Sequence, residues 1–152
     1  TRTIHIEKEI SREVEFVSYL FTYDALGRKM SGQINFPTVQ TDTTPVIVMV
    51  RGYVPHEIFS TGVGTRNGAA AFARAGFITV APDFFGYGES DPEHEERISA
   101  KKNASATQSA QISEPIVFKY YEYPGADHNL QPTQNWQKVV ERDIAFYKQY
   151  LQ

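Results

Sequence analysis

The segment Val46–Ser90, VIVMVRGYVPHEIFSTGVGTRNGAAAFARAGFITVAPDFFGYGES, decides the fold. It opens on an apolar run, Val46–Val50, that turns sharply at Arg51–Gly52–Tyr53. A long loop with Pro55, Gly62 and Gly64 follows, then a helix-forming stretch from about Thr65 to Ala75 with Ala69, Phe72, Ala73 and Gly76 on one face. Small residues there allow a helix to lie close to a sheet, and Gly76 suits a helix C-terminus. A second apolar run, Phe77–Pro82, leads into the loop Asp83–Asp91. Strand, loop, helix, strand, loop is the order of a βαβ unit in a parallel sheet. The first run is continuously apolar rather than alternating, which predicts a strand covered on both faces. In such sheets chemistry gathers on loops at the C-terminal ends of strands. Here those loops are Arg51–Gly52–Tyr53 and Asp83–Asp91.

Upstream, Phe16–Tyr23 and Met30–Phe36 flank the turn signal Asp24–Ala25–Leu26–Gly27 and predict a hairpin. Residues Thr1–Ser11, with Ile4, Ile6 and Ile10 among charged neighbours, read as an edge strand or a loose arm. Downstream, Pro92–Ser113 is rich in Glu, Lys, Ala, Ser and Gln, and Ile98 and Ile112 are its only large apolar residues. Pro115–Pro124 reads as another strand. A C-terminal helix carries Trp136, Val139, Val140, Ile144, Tyr147 and Leu151 near helical spacing.

At 152 residues, one domain spanning 1–152 is expected, with 92–113 as a polar low-complexity junction. The net charge of −3 gives no nucleic-acid surface. Without cysteine there are neither disulfides nor thiolate metal sites. No apolar run approaches the roughly 20 residues of a spanning helix, so no membrane partner is expected. No signal peptide is visible, which leaves the location open with the cytoplasm as the expectation. His5, His56 and His94 share no metal-ligand spacing with carboxylates, so neither a metal nor another cofactor is predicted. Gly62–Val63–Gly64–Thr65–Arg66–Asn67–Gly68 departs from the G-x-G-x-x-G phosphate pattern and reads as a packing turn.

Three segments together resemble the α/β-hydrolase superfamily, most closely its prolyl-oligopeptidase and dienelactone-hydrolase-like serine hydrolases. VIVMVRGY resembles the strand and turn that build the oxyanion hole. GFITVAPDFFGYGESD resembles the next strand and its following loop. FKYYEYPGADHNL with the helix after it resembles the last strand, the catalytic-histidine loop and the C-terminal helix. The leading hairpin fits the family's first strands. The resemblance covers nearly the whole chain apart from Pro92–Ser113. It implies an α/β fold: an abbreviated hydrolase-like sheet, with an N-terminal antiparallel hairpin plus parallel strands and flanking helices.

The resemblance also implies a serine hydrolase, of carboxylesterase or peptidase type, that cleaves a small ester or peptide substrate. His128 would be the catalytic base. The backbone N–H of Tyr53 would be one oxyanion donor; read from the residues alone, Tyr53 is equally a turn tyrosine packing its ring. The family's G-x-S-x-G elbow is absent, so nucleophile and acid stay unassigned. Ser90 follows the wrong strand for a nucleophile, and Asp83, Asp91 and Asp127 read as turn or loop-bonding residues rather than the acid. The missing elbow strand leaves the Val46–Val50 strand with an open edge, which suits a homo-oligomer. The alternatives to an enzyme are a catalytically inactive binding or assembly module and a deletion form of a longer hydrolase.

Overall fold

The computed structural model describes residues 3–25, 27–92 and 133–151. Five strands run Ile4–Arg12 (β1), Phe16–Asp24 (β2), Lys29–Pro37 (β3), Val46–Val48 (β4) and Ile78–Pro82 (β5). Two helices, Arg66–Arg74 (α1) and Thr133–Leu151 (α2), and a 3-10 turn at His56–Ile58 complete the described elements. Residues 3–92 and 140–151 belong to one compact unit, and Thr133–Val139 at the start of α2 to another.

The strands form one sheet in the order β1-β2-β3-β5-β4. This corrects the expectation of an α/β sheet built on parallel strands. The pairs β1–β2, β2–β3 and β3–β5 are all antiparallel, and only β4–β5 is parallel among the described residues. The reason lies in the connections. Parallel neighbours need a long crossover, while short turns give antiparallel pairs. Only the stretch from β4 through α1 to β5 supplies a crossover here. The turns between β1, β2 and β3 are short, and they make the N-terminal half a meander. The predicted hairpin is β2–β3, in unbroken register from Phe16↔Pro37 to Asp24↔Lys29. Ile4–Arg12 is an edge strand, kinked by bulges at Ile6/Lys8 and Glu9/Ser11.

The helix and the strand after it fall where the sequence puts them. Gly68, Ala69, Phe72 and Ala73 are the buried face of α1. Its end is a Schellman cap. Gly76, at φ 95°, donates its N–H to the Ala73 carbonyl, and Phe77 N–H reaches back to Phe72. Phe77 therefore enters the core as the chain turns, where it meets Ile47 and Phe72. Tyr147 of α2 closes this core from the other side. Its ring centroid lies 5.6 Å from that of Phe72 and 6.2 Å from that of Phe77, both edge-on. Ile144 packs beside it.

The apolar run of β4 is not covered on both faces. Ile47 is buried under this core, but Val46 and Val48 are 52% and 63% exposed. Alternation in burial is present although alternation in sequence is not, because no described element covers the second face. The predicted strand Pro115–Pro124 and the polar junction from residue 93 to residue 113 lie outside the described residues. Among those described, no helix is long and apolar enough to cross a membrane.

Candidate functional site

The loops after β4 and β5 meet around two buried charged residues, Arg51 and Asp83. Asp83 caps β5 and is only 3% exposed. Its Oδ2 accepts hydrogen bonds from Ser31 Oγ at 2.6 Å and Thr61 Oγ1 at 2.9 Å. Burial pushes its carboxyl above the ordinary range; those hydrogen bonds and the charge of Arg51 oppose the rise without cancelling it. Gly88, at φ 61°, brings the backbone so close to this carboxylate that a Cβ there would collide with it.

Ser31 joins the loop Asp83–Asp91 to β3. Its Oγ accepts from the Glu89 N–H at 2.9 Å, and its own N–H donates to Ser90 Oγ at 2.9 Å. The two serine hydroxyls lie 3.2 Å apart. Beyond them, the Asp91 N–H donates to the Lys29 carbonyl, and the Lys29 N–H donates to Asp91 Oδ2. Ser90 is therefore tied to β3 through Ser31. Asp91 likewise bonds loop and strand amides.

Arg51 is the feature that sequence reading missed. Its guanidinium lies 4.7, 4.4 and 4.2 Å from the ring centroids of Phe59, Phe84 and Tyr87. Nη1 donates to the Gly52 carbonyl. Nε and Nη2 are buried without an oxygen acceptor among the described residues. The space between Met49, Arg51, Thr65 and Asp83 is too narrow for a water molecule. The three π faces are what remains to solvate the cation. The rings come from both loops, so Arg51 clamps one loop to the other. Tyr87 adds a bond from its hydroxyl to the Val54 carbonyl and stacks on His56 at 3.9 Å. A signal was present in the sequence, since Phe59, Phe84 and Tyr87 are aromatic residues in loops that also carry several glycines. Nothing in their spacing ties them to Arg51.

The clamp fixes the turn that carries Tyr53. The Tyr53 side chain is 83% exposed, so its ring does not pack. Among the described residues nothing accepts its N–H. The turn thus carries a backbone N–H that no described residue accepts. His128 and Asp127 lie outside the described residues. No cluster of His, Asp or Glu able to hold a metal occurs among the described residues. Scans of the sequence against protein-family models and against curated proteins match nothing.

Proposed function

We propose that the chain is a serine hydrolase of carboxylesterase or peptidase type, acting on an ester or peptide bond through an acyl-enzyme. The observation that supports it is the Arg51–Gly52–Tyr53 turn, where Tyr53 is exposed, no described residue accepts its N–H, and the caged arginine holds the backbone beneath. A preorganised N–H of this kind suits the oxygen of a tetrahedral intermediate. His128, placed by the family resemblance, takes the proton of a serine hydroxyl as that oxygen adds to the carbonyl carbon. The Tyr53 amide donates to the oxyanion that forms. His128 then delivers the proton to the leaving alcohol or amine, and water repeats the cycle on the acyl-enzyme. Ser31 and Ser90 are committed to each other and to the loop, and the attacking serine stays unassigned.

A second reading has its own observation. The outer edge of β4 has no strand partner among the described residues, and Val46, Val48 and Val50 beside it are exposed. That favours a non-catalytic module that assembles through this edge.

A fluorophosphonate probe separates the two. The hydrolase reading expects one adduct per chain by intact mass, lost in His128→Ala. It also expects Tyr53→Pro, which removes the N–H, to lower kcat about 10²–10³-fold with little change in KM, while Tyr53→Ala does not. A protein that stays unmodified at its unlabelled mass overturns the hydrolase reading and leaves the assembly module.

A further inference from the structure

The two ends of the peptide unit between Gly52 and Tyr53 are held differently. Its carbonyl accepts a hydrogen bond from Arg51 Nη1 at 2.9 Å. Its N–H, on Tyr53, has no acceptor among the described residues. A planar trans peptide points the two in opposite directions, so pinning the carbonyl also aims the N–H, away from the guanidinium. The donor on that carbonyl is a cation. Charge-assisted bonds are roughly twice as strong as neutral ones, and a donor on the carbonyl draws electron density through the amide and strengthens the opposite N–H as a donor.

The surroundings leave this charge unneutralised. Arg51 is 8% exposed, so little water screens it. It forms no ion pair among the described residues, and Asp83 feels it only through space. The faces of Phe59, Phe84 and Tyr87 stabilise the cation without cancelling it. The stem is fixed as well. A Cβ on Gly64 would lie 3.1 Å from Arg51 Cβ, so the loop before α1 closes directly on it. Tyr87 grips the turn on both sides of the peptide, its ring 4.2 Å from the Arg51 guanidinium and its hydroxyl bonded to the Val54 carbonyl.

We infer that Arg51 is a positioning residue that orients and polarises the Tyr53 N–H, making this backbone amide a stronger donor to a negatively charged oxygen. The catalytic meaning of that role rests on the hydrolase reading above. The substrate oxygen is a neutral carbonyl in the ground state and an anion in the tetrahedral intermediate, and a polarised N–H gains more from the anion. Arg51 acts through the peptide unit rather than on the substrate.

Base-catalysed hydrogen exchange reports the acidity of an N–H directly and needs no turnover. It is read by NMR on the intact chain labelled with 15N-tyrosine, the Tyr53 signal being the one lost in Tyr53→Phe. The Tyr53 amide is expected to exchange roughly tenfold or more faster than its local sequence alone dictates, one unit of acidity being a factor of ten. Arg51→Met keeps a long stem among the rings but removes the charge, and it slows exchange toward that reference. Arg51→Lys keeps the charge and restores the fast rate. A merely structural role predicts the opposite sign, since loosening the turn cannot slow the exchange of its amide. Arg51→Gln, which can still donate to the Gly52 carbonyl, is the second uncharged variant should Arg51→Met fail to fold by circular dichroism. A wild-type Tyr53 amide no faster than the reference, or a rate unchanged in the uncharged variants, overturns the proposal. Kinetics separate it from the hydrolase reading. Arg51→Met is expected to lower kcat roughly tenfold with KM nearly unchanged, and to lower it no further in a Tyr53→Pro background. A full additional loss in that background overturns the proposal. Fast, Arg51-dependent exchange in a chain without turnover overturns the hydrolase reading and supports the polarised peptide.

Discussion

Asp83 shows what a single buried carboxylate demands of its surroundings. Two hydroxyls, a caged cation and a glycine that lets the backbone approach all serve it, and burial still raises its pKa above the ordinary 3.8. A carboxyl raised in this way holds its proton more tightly in the folded chain than in the unfolded one. Its stabilising contribution is full below the unfolded value and is lost as pH rises through the folded one. Asp83→Asn has no proton to lose, and its Oδ1 can still accept from both Ser31 and Thr61. The unfolding free energy of the wild type relative to Asp83→Asn should therefore fall as pH rises from about 4 to 7, measured by urea denaturation. A difference that stays flat or climbs would refute this account. Little of this residue-scale chemistry could be read from the chain. Asp91 bonds a backbone amide as expected, but Asp83, expected to bond loop amides, instead takes hydroxyls from β3 and from the long loop, far away in sequence. Arg51 read as part of a turn, because no local pattern announces a cation–π cage.

Elements were more legible than their pairing. The hairpin, α1, β5 and the C-terminal helix follow from turn residues and period. Parallel or antiparallel neighbours do not, since β5 finds β3 across the sheet and no short-range signal links MSGQINF to FITVAP. The buried side of β3 also misleads. Ser31, Gln33 and Asn35 look like a solvent-facing row, yet each is 5% exposed or less. Gln33 Nε2 donates to Ser18 Oγ and Asn35 Oδ1, Ser18 Oγ donates to Asn35 Oδ1, and Gln33 Oε1 is buried without a partner among the described residues. Two glycines with different duties give a test at this scale. A Cβ on Gly32 would lie 2.6 Å from the Ala81 carbonyl oxygen and from the Phe21 ring. A Cβ on Gly76 would meet nothing, and only the left-handed backbone resists it. Gly76→Ala should cost about 1 kcal/mol. Gly32→Ala should cost more, about 2–3 kcal/mol, because backbone cannot yield as a side chain can. Thermal denaturation of the two variants gives the ranking, and the reverse order would contradict the packing described.

For the whole molecule, the consequence of the strand order is a short apolar strand at one edge of the sheet formed by the described residues. β4 is only Val46–Val48, with Val48 63% exposed and Val50 beyond it 73% exposed. Soluble sheets guard such edges with charge, and Val46–Val48 carries none. Sedimentation velocity should show mass rising with concentration, and Val48→Lys should return the protein to a monomer with its circular dichroism unchanged. A wild type that is monomeric at every concentration would exclude assembly through this edge. The expectation of an open edge rested on a resemblance, whereas here the edge is read from the strand order of the described residues.

The bonds between Ser31 and the loop Asp83–Asp91 also bear on how fast the molecule forms and comes apart. They join residues 52 to 59 positions apart in the chain, across β4, α1 and β5. Closing so long a stretch is entropically slow, and it can only follow the docking of β5 on β3. These contacts are thus expected to form after the rate-limiting barrier and to be among the first to part. Ser31→Ala should then speed unfolding several-fold in stopped-flow experiments while leaving the refolding rate nearly unchanged. The Asp83 loop would be the last part of the protein to become rigid, and the Tyr53 turn clamped to it through Arg51 would acquire its final shape only at that step.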